Sequence, residues 1–225
     1  MMICYTAFHS CSRGHWDLML LTKQRFRSML QAALATIEAN LDYLNQLDTA
    51  IGDGDHGTAI RAAMQAACNA AQKEGSWSDL LNAVGWEVMG GTNGSTSAIT
   101  GAFYVGAGNA LSNDADLDTD TFIDMFESAL KNVRTVSRAQ VGDKTIMDAM
   151  IPAIEAMSAF KGKGSALAEV MQAGAETANN GADSTKDLVA RYGRAKNLGE
   201  RSRGHLDAGA SSLALIFQAF SETLR

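Results

Sequence analysis

The amino-acid sequence predicts an all-α protein, an antiparallel up-and-down bundle or barrel of eight helices. Apolar residues recur at spacings of three and four through most of the chain, which is typical of amphipathic helices. No segment alternates with a period of two, and the chain has one proline and few runs of β-branched residues, so a sheet is not indicated. Short loops between the predicted helices favour antiparallel neighbours.

The first four helices are expected between residues 26 and 111. Phe26, Leu30, Ile37 and Leu44 lie on one face of a single long helix that ends near an acidic stretch. Glycine pairs and polar turns separate the next three helices, and the glycines of the fourth permit close approach of neighbouring helices. These three helices are predicted over residues 57–74, 77–88 and 98–111.

The last four helices are expected between residue 122 and the end of the chain. Their apolar stripes cover residues 122–133, 146–157, 167–174 and 213–224. The sixth helix is predicted to start at the sequence Gly142-Asp143-Lys144-Thr145, with Asp143 as its N-terminal cap. Pro152 lies inside that helix and predicts a kink.

Composition indicates one large domain, residues 20–225, that acts on small molecules. A net charge of -6 without a dense Lys/Arg run argues against a nucleic-acid or acidic-membrane surface. No run of about 18 apolar residues predicts a membrane span. Three scattered cysteines indicate neither a disulfide framework nor a zinc site, so the cytoplasm is the expected compartment. Residues 1–19 lack a sustained helical period and are predicted to be a disordered or non-native tail.

The most informative stretch contains Asp48, Asp53, Asp55 and His56, with glycines between them and a helix after them. Three neighbouring carboxylates repel one another unless a cation neutralises them. Mg²⁺ takes oxygen ligands and keeps positions open for phosphate, so this pattern predicts a site for a metal-bound nucleotide. The alternative is a solvated acidic turn in which Asp55 caps the next helix.

Two further segments have the composition of phosphate-binding loops. Residues 90–97 combine glycines with hydroxyl side chains directly before a helix, which can present backbone N–H groups to an anion. Residues 193–210 concentrate Arg194, Arg201, Arg203 and His205 in an otherwise acidic chain, and the planar guanidinium suits phosphate oxygens. Each segment also has a simpler interpretation, a flexible loop between helices for the first and a solvated charged loop for the second.

Taken together and in this order, these motifs make the chain similar to the nucleotide-binding L subunits of dihydroxyacetone kinase. The resemblance covers residue 20 to the end and is carried by residues 52–57, 90–97, 142–145 and 193–210. It implies a barrel of eight antiparallel helices and a phosphotransferase. It also implies that Asp48, Asp53 and Asp55 hold two Mg²⁺ ions bridging the phosphates of ADP or ATP, with Arg194 beside them as a catalytic group.

The same resemblance implies which residues surround the nucleotide. They are His56, Gly57, Thr58, Ala59, Ser95, Thr96, Ser137, Ile146, Arg194, Asp207, Ala208 and Gly209. Three positions depart from the family pattern. Ala59 stands where the family usually has Asn, Asn197 where Tyr is common, and Ala208 where Pro is usual.

By the same resemblance, the ketose is held on a separate substrate-binding K subunit, to which this chain passes a phosphoryl group. A chain without a fused substrate domain favours ADP as a bound coenzyme that a phosphocarrier protein rephosphorylates. The alternatives are a kinase for a four-carbon ketose that uses ATP directly, and a non-catalytic nucleotide sensor that binds a transcription regulator. The oligomeric state is left open, with a homodimer as one option.

Overall fold

The computed structural model describes residues 20–91 and 94–225, and these residues form nine α-helices. Their bounds are α1 Lys23–Ala39, α2 Leu41–Ile51, α3 His56–Ala70, α4 Trp77–Gly91, α5 Ser95–Asn109, α6 Thr119–Val136, α7 Met147–Ser158, α8 Leu167–Ser184 and α9 Ala208–Leu224. Two 3₁₀ segments, Thr185–Asp187 and Arg194–Ser202, lie between α8 and α9. The predicted all-α class is confirmed.

Eight of the helices form a closed ring, because each packs against the next in the order α1, α3, α4, α5, α6, α7, α8, α9, and α9 packs against α1. Short connections make successive helices antiparallel. The remaining helix, α2, lies across one end of the ring and contacts α3 and α9. The eight predicted helices therefore all occur, as an antiparallel barrel.

The first predicted helix differs from the observed one, because it breaks at Asn40 into α1 and α2. The Asn40 backbone leaves the helical region at φ -112 and ψ 14, and its side-chain amide donates to the Thr36 carbonyl at 2.8 Å. Asn side chains compete in this way for backbone groups and so favour helix ends. The break directs α2, which carries Asp48, across the end of the barrel.

Aromatic side chains fill the centre of the barrel. The ring of Phe126 on α6 makes edge contacts with Phe103, Phe122 and Phe217, at centroid distances of 5.5, 4.9 and 5.6 Å. Such edge-to-face pairs add to the stabilisation that comes from burial of their large apolar area. The core therefore joins α5, α6 and α9 from different parts of the chain.

Close helix contacts at glycine were predicted for the fourth helix and are confirmed. A Cβ atom added to Gly101 on α5 would lie 2.7 Å from the Gly85 carbonyl oxygen on α4. A Cβ atom added to Gly106 would lie 2.8 Å from the Ser128 carbonyl oxygen on α6. These two positions admit no side chain at the present helix separation.

One end of the barrel is the site rim, defined as the end where α2, α4, α6 and α8 finish and α3, α5, α7 and α9 begin. The four helices that begin there direct their free N–H groups toward this end. None of the helices in residues 20–91 and 94–225 is both long and apolar enough to cross a membrane. The predicted tail, residues 1–19, lies outside the described residues.

Candidate functional site

The site rim surrounds an open cavity of about 770 Å³. Most residues that the resemblance assigned to the nucleotide line this cavity, although they come from four different stretches of chain. They are Asp48, Asp53, Asp55, His56, Ala59, Ser95, Thr96, Ser137, Ile146, Arg194, Asp207, Ala208 and Gly209. The tertiary structure thus brings together the acidic stretch, the start of α5 and the arginine-rich residues 193–210.

The three carboxylates form a compact cluster at one wall of the cavity. Asp48, Asp53 and Asp55 each offer an oxygen atom, and these atoms all lie within 4.8 Å of one another. Asp48 is partly buried, whereas Asp53 and Asp55 are exposed to the cavity. A set of carboxylate oxygens with open space beside it suits a hard divalent cation such as Mg²⁺.

The backbone between these carboxylates is shaped around Asp48. Its Oδ2 atom accepts hydrogen bonds from the N–H groups of Gly54 at 2.8 Å and Asp55 at 3.1 Å. Gly54 has φ +82, a left-handed conformation that favours glycine. A Cβ atom on Gly52 would lie 2.1 Å from Asp48 Oδ1, so that position also requires glycine. Asp55 precedes α3 without a side-chain capping hydrogen bond, in contrast to the capping alternative.

His56 begins α3 and joins two other helix starts. Its Nε2 atom lies 2.8 Å from the Ser212 hydroxyl on α9, and its Nδ1 atom lies 3.4 Å from the Thr96 hydroxyl on α5. Burial lowers the pKa of His56, although the nearby Asp48 and Asp55 charges act in the opposite direction. A neutral imidazole that links α3, α5 and α9 holds three helix N-termini in fixed relation.

Asp207 lines the cavity as the N-terminal cap of α9. Its carboxylate accepts the Ala210 N–H at 2.8 Å, and its own N–H donates to the Thr185 hydroxyl at 2.9 Å. Burial raises the pKa of Asp207 to about 6, against the opposing effects of the Ala210 hydrogen bond and the Lys144 charge. Neighbouring Gly209 lies against Ile146.

Arg194 reaches across the cavity from the first 3₁₀ turn of residues 194–202 and forms an ion pair with Asp53. The guanidinium is largely exposed, so the pair lies in contact with solvent. Arg201, Arg203 and His205, which the sequence grouped with Arg194, do not line the cavity. Arg203 instead pairs with Glu200 and donates to the Asp187 carbonyl.

Two residues assigned by resemblance, Gly57 and Thr58, are likewise not among the residues that line the cavity. Thr58 contacts α2, because its N–H donates to the Asn45 side-chain oxygen at 3.1 Å. A Cβ atom on Gly57 would lie 2.3 Å from the Leu41 carbonyl oxygen. Both residues therefore hold α2 against α3. Thr92 and Asn93 of the predicted phosphate-binding loop lie outside the described residues.

The predicted cap of the sixth helix was wrong. The helix α7 starts at Met147, and the carboxylate that organises the preceding turn belongs to Asp148, which accepts the N–H groups of Gly142 at 2.6 Å and Thr145 at 2.7 Å. Asp143 accepts the Gln140 N–H at 2.8 Å and pairs with Arg191 at 3.2 Å. Asp143 therefore contacts Arg191 rather than the first residues of α7.

Sequence reasoning missed several residues that line the cavity, among them Lys144, Tyr192 and Ser212. Lys144 lies in the segment that had been interpreted as a helix cap, so the motif itself was the available signal. Ser212 and Tyr192 carry no comparable signal, because a serine in an apolar helix and a tyrosine in a polar loop are common.

Fold and site together define a helical barrel with a carboxylate cluster and an open cavity at one end. The family model described as the DAK2 domain matches residues 50–222. The chain belongs to this family. It is 30% identical over 204 residues to the ADP-binding subunit DhaL of PEP-dependent dihydroxyacetone kinase 2 from Listeria innocua, which covers 89% of this chain and 94% of that relative.

Some other relatives are longer than this chain. It is 35% identical over 202 residues to the L-erythrulose kinase of Pectobacterium atrosepticum, but spans 34% of that protein. The crystal structure of the C. freundii dihydroxyacetone kinase in complex with AMP-PNP and Mg²⁺ matches 99% of this chain and 37% of its own length, with a TM-score of 0.67 and 22% identity. That match shows the shared barrel fold.

Proposed function

We propose that this chain is the Mg–nucleotide-binding subunit of a ketose kinase that phosphorylates dihydroxyacetone. The observation that carries the proposal is the cavity in which Asp48, Asp53, Asp55 and Arg194 meet at the start of three helices. It is supported by a relative of nearly the same length that is named as an ADP-binding subunit of dihydroxyacetone kinase.

In this proposal the carboxylates of Asp48, Asp53 and Asp55 hold two Mg²⁺ ions. When bound, such ions neutralise the phosphate charge that grows during phosphoryl transfer. Asp48 orients the turn that presents the other two carboxylates, through its hydrogen bonds from Gly54 and Asp55. Removal of any one carboxylate therefore weakens the charge of the site, and removal of the Asp48 carboxylate also weakens its geometry.

The phosphates bind against the N-termini of α3 and α5, where free N–H groups and the helix dipoles favour an anion. Ser95 and Thr96 add hydroxyl donors at the start of α5, and His56 keeps these two helix starts together. Arg194 is paired with Asp53 at the edge of this site, so its guanidinium would be in reach of the transferred phosphoryl group, whose oxygens suit its planar donors.

The nucleoside lies toward the apolar part of the same cavity, beside Ile146 and the turn Asp207 to Gly209. Ala59 also lines the cavity, and its methyl group provides no hydrogen bond where the family pattern has an amide. We expect this difference to weaken phosphate contacts and to favour exchange of the nucleotide. It therefore bears directly on whether ADP stays bound between turnovers.

The ketose is held on a separate K subunit, which docks at the open mouth of the cavity. ADP serves as a coenzyme, rephosphorylated in place by a phosphocarrier protein. Support comes from relatives that cover most of this chain and are named as ADP-binding subunits of PEP-dependent or PTS-dependent dihydroxyacetone kinases. A four-carbon ketose is the second candidate substrate, because the 35% identical relative is named L-erythrulose kinase.

The test combines the purified protein with substrate-binding K subunits of dihydroxyacetone kinases, and with substrate portions of erythrulose kinases. Each mixture receives dihydroxyacetone or erythrulose, with either ATP or a phosphorylated carrier, and ketose phosphate is measured over many turnovers. We expect turnover with dihydroxyacetone and the carrier. The same protein should retain ADP through gel filtration in Mg²⁺ and lose it in chelator.

Two results would redirect the proposal. Sustained turnover on ATP alone would assign the direct ATP-dependent mechanism, and a preference for erythrulose would assign the four-carbon substrate. Tight Mg-ADP binding without transfer to either ketose would instead support the nucleotide sensor. Asp116→Asn serves as the matched control for carboxylate variants, since Asp116 is exposed and remote from the cavity.

A further inference from the structure

Lys144 combines three features that are unusual for a lysine. It is 1% exposed, and its backbone has φ +60, the only positive φ at a non-glycine residue in the described parts of the chain. It also lines the cavity of the site rim. A buried charge and a left-handed backbone are both costly and persist where the surrounding structure requires them.

The ammonium group of Lys144 holds two distant points of the chain. Its Nζ atom donates to the Thr185 carbonyl oxygen at 2.5 Å and to the His205 carbonyl oxygen. These carbonyls lie at the two ends of residues 185–205, which we call the arginine segment because it carries Arg194. The Lys144 side chain thus joins both ends of this segment to the turn before α7 by hydrogen bonds.

The arginine segment has little else to hold it by apolar packing. Its residues are mostly exposed or half-buried, and the buried ones are Thr185, Ala190 and Ser202. Two further hydrogen bonds involve the turn before α7 and Thr185. The Arg191 N–H donates to the Asp143 carbonyl at 3.1 Å, and the Asp207 N–H donates to the Thr185 hydroxyl at 2.9 Å. Polar contacts to residues 143 and 144 therefore help to position the segment, together with the Arg194–Asp53 ion pair, the contact of residues 194–202 with α2 and the hydrogen bond from the Gly204 N–H to the Lys186 carbonyl at 2.7 Å.

The chemistry of lysine suits this task. An ammonium is a compact donor with three hydrogens on a long flexible stem, so it can satisfy two carbonyls from different segments at once. Burial lowers the pKa of Lys144, and the nearby Asp207 and Asp148 carboxylates act in the opposite direction. Arginine, with its wider planar fork, does not fit two converging carbonyls in the same space.

We propose that Lys144 is a positioning residue, which closes the arginine segment and so places Arg194 and Asp207 at the cavity. This proposal rests on the proposed function only for its binding measurement. A lysine that merely satisfied buried carbonyls would stabilise the fold uniformly. A positioning residue acts locally on the segment and on nucleotide binding.

The first test is hydrogen–deuterium exchange of the nucleotide-free protein, which needs no assumption about function. Lys144→Met keeps the length and apolar stem of the side chain but removes its donors. We expect faster exchange confined to residues 185–207, with the rest of the barrel unchanged. Lys161→Met is the matched control, because Lys161 makes ion pairs with Asp124 and Glu127 outside the cavity. Unchanged or uniformly faster exchange in Lys144→Met would overturn the proposal.

The second test measures Mg-ADP affinity in a double-mutant cycle. Lys144→Met should weaken binding by about 10- to 100-fold, the usual loss when a residue that orients a ligating group is removed. The effect should be smaller in an Arg194→Ala background, because the two residues then act through the same contact. Independent, additive losses would overturn the positioning role. Lys144→Gln, which keeps an N–H donor, takes the place of Lys144→Met in both tests if the latter fails to fold.

The two proposals fail in distinguishable ways. If the parent protein does not bind Mg-ADP, the proposed function is wrong, while exchange in the 185–207 region still tests Lys144. If the parent binds Mg-ADP and Lys144→Met changes neither exchange nor affinity, the positioning role is wrong and the proposed function stands.

Discussion

The interior of the barrel and the site rim are stabilised by different interactions. In the interior, Phe126 and its aromatic neighbours exclude water, and burial of apolar area provides the stabilisation. At the rim, Asp143, Lys144, Asp148 and Thr185 are buried polar groups that each have hydrogen-bond partners. Interior substitutions should therefore change stability, whereas rim substitutions should change binding.

Polar groups also differ between these regions in how completely they are satisfied. Two buried side-chain atoms lack a partner among the described residues, Trp77 Nε1 and Ser221 Oγ, and both belong to helices of the barrel wall. At the rim, Asp148 alone accepts two backbone N–H groups of the turn before α7. An unpaired buried charge would cost far more than an unpaired indole or hydroxyl, which explains why pairing is most complete at the rim.

The largest effect on stability is expected for Phe126→Ala. Removal of this ring leaves a cavity among three other aromatic rings, and we expect the free energy of unfolding to fall by about 3 to 5 kcal/mol. Urea denaturation measures the loss. Tyr43→Ala, which removes a ring that is 44% exposed, should change it by less than about 0.5 kcal/mol. A loss below about 1 kcal/mol in Phe126→Ala would contradict the comparison.

The next effect concerns binding without loss of the fold. Asp53→Asn removes one anionic oxygen from the carboxylate cluster, so Mg-ADP affinity should fall by about 100-fold or more, since even residues that only orient metal ligands contribute 10- to 100-fold. Calorimetric titration measures the affinity, and the helical circular dichroism should remain. Asp116→Asn should bind Mg-ADP like the parent.

The same parent protein should show that metal and nucleotide act together. A ligand that binds only the native state adds stability as RT ln(1 + [L]/Kd). The melting temperature should therefore rise more with Mg²⁺ and ADP together than with either alone. In Asp53→Asn most of this difference in melting temperature should be lost. Equal shifts by ADP with and without Mg²⁺ would argue against a carboxylate–metal site.

A smaller effect is expected from the titration of Asp207. Its pKa is raised from 3.8 to about 6 by burial, so the folded protein retains a proton that the unfolded chain has released between these pH values. This contribution to stability is complete below about pH 4 and is lost as the pH rises through 6. Asp207→Asn cannot titrate, so the stability of the parent relative to this variant should fall by about 1 to 2 kcal/mol between pH 4 and 7.

Urea denaturation of the parent and Asp207→Asn at several pH values measures that difference. It isolates Asp207 from His56, whose lowered pKa makes stability fall with decreasing pH, and from Asp114 and Asp118, whose lowered pKa values act in the same sense as His56. Parallel stability curves for the two proteins would show that Asp207 is already ionised in the folded state at pH 4.

The smallest effect is expected from removal of residues 1–18, so that the chain begins at Met19. These residues show no sequence pattern that demands burial. Thermal unfolding should change by less than about 0.5 kcal/mol, and Mg-ADP affinity should not change. A larger loss of stability would assign the tail to the interior, and a loss of affinity alone would assign it to the rim.

Much of the fold could be predicted, because the spacing of apolar residues along a helix shows which of its faces is buried. The apolar stripes of α4 and α6 recur every three or four residues, so one face of each helix identifies itself without knowledge of its neighbours. The break at Asn40 was not predicted, since the same apolar spacing continues across it. Only the packing of α2 on α3 and α9 shows why the chain turns there.

The candidate site was predictable where its chemistry is contained in a short stretch. Asp48, Asp53 and Asp55 lie within eight consecutive residues, so a single glycine-containing turn can bring the three carboxylates together. The turn at residues 142–145 shows the opposite case. Its sequence suggests a helix cap by Asp143, but Asp148 organises this turn from within α7 and Asp143 pairs with Arg191.

The sequence by itself determined the helical class, the carboxylate cluster and the family resemblance, because each depends on residues near one another in the chain. The family resemblance assigned Arg194 to the nucleotide, but only the tertiary structure decided that Arg201 and Arg203 do not line the cavity. It also decided that Lys144 binds two backbone carbonyls more than 40 residues away. Loops take their conformation from long-range partners, and for these loops the partners are backbone carbonyls. Every residue has a backbone carbonyl, so no sequence pattern shows which carbonyl will accept a hydrogen bond from a given lysine.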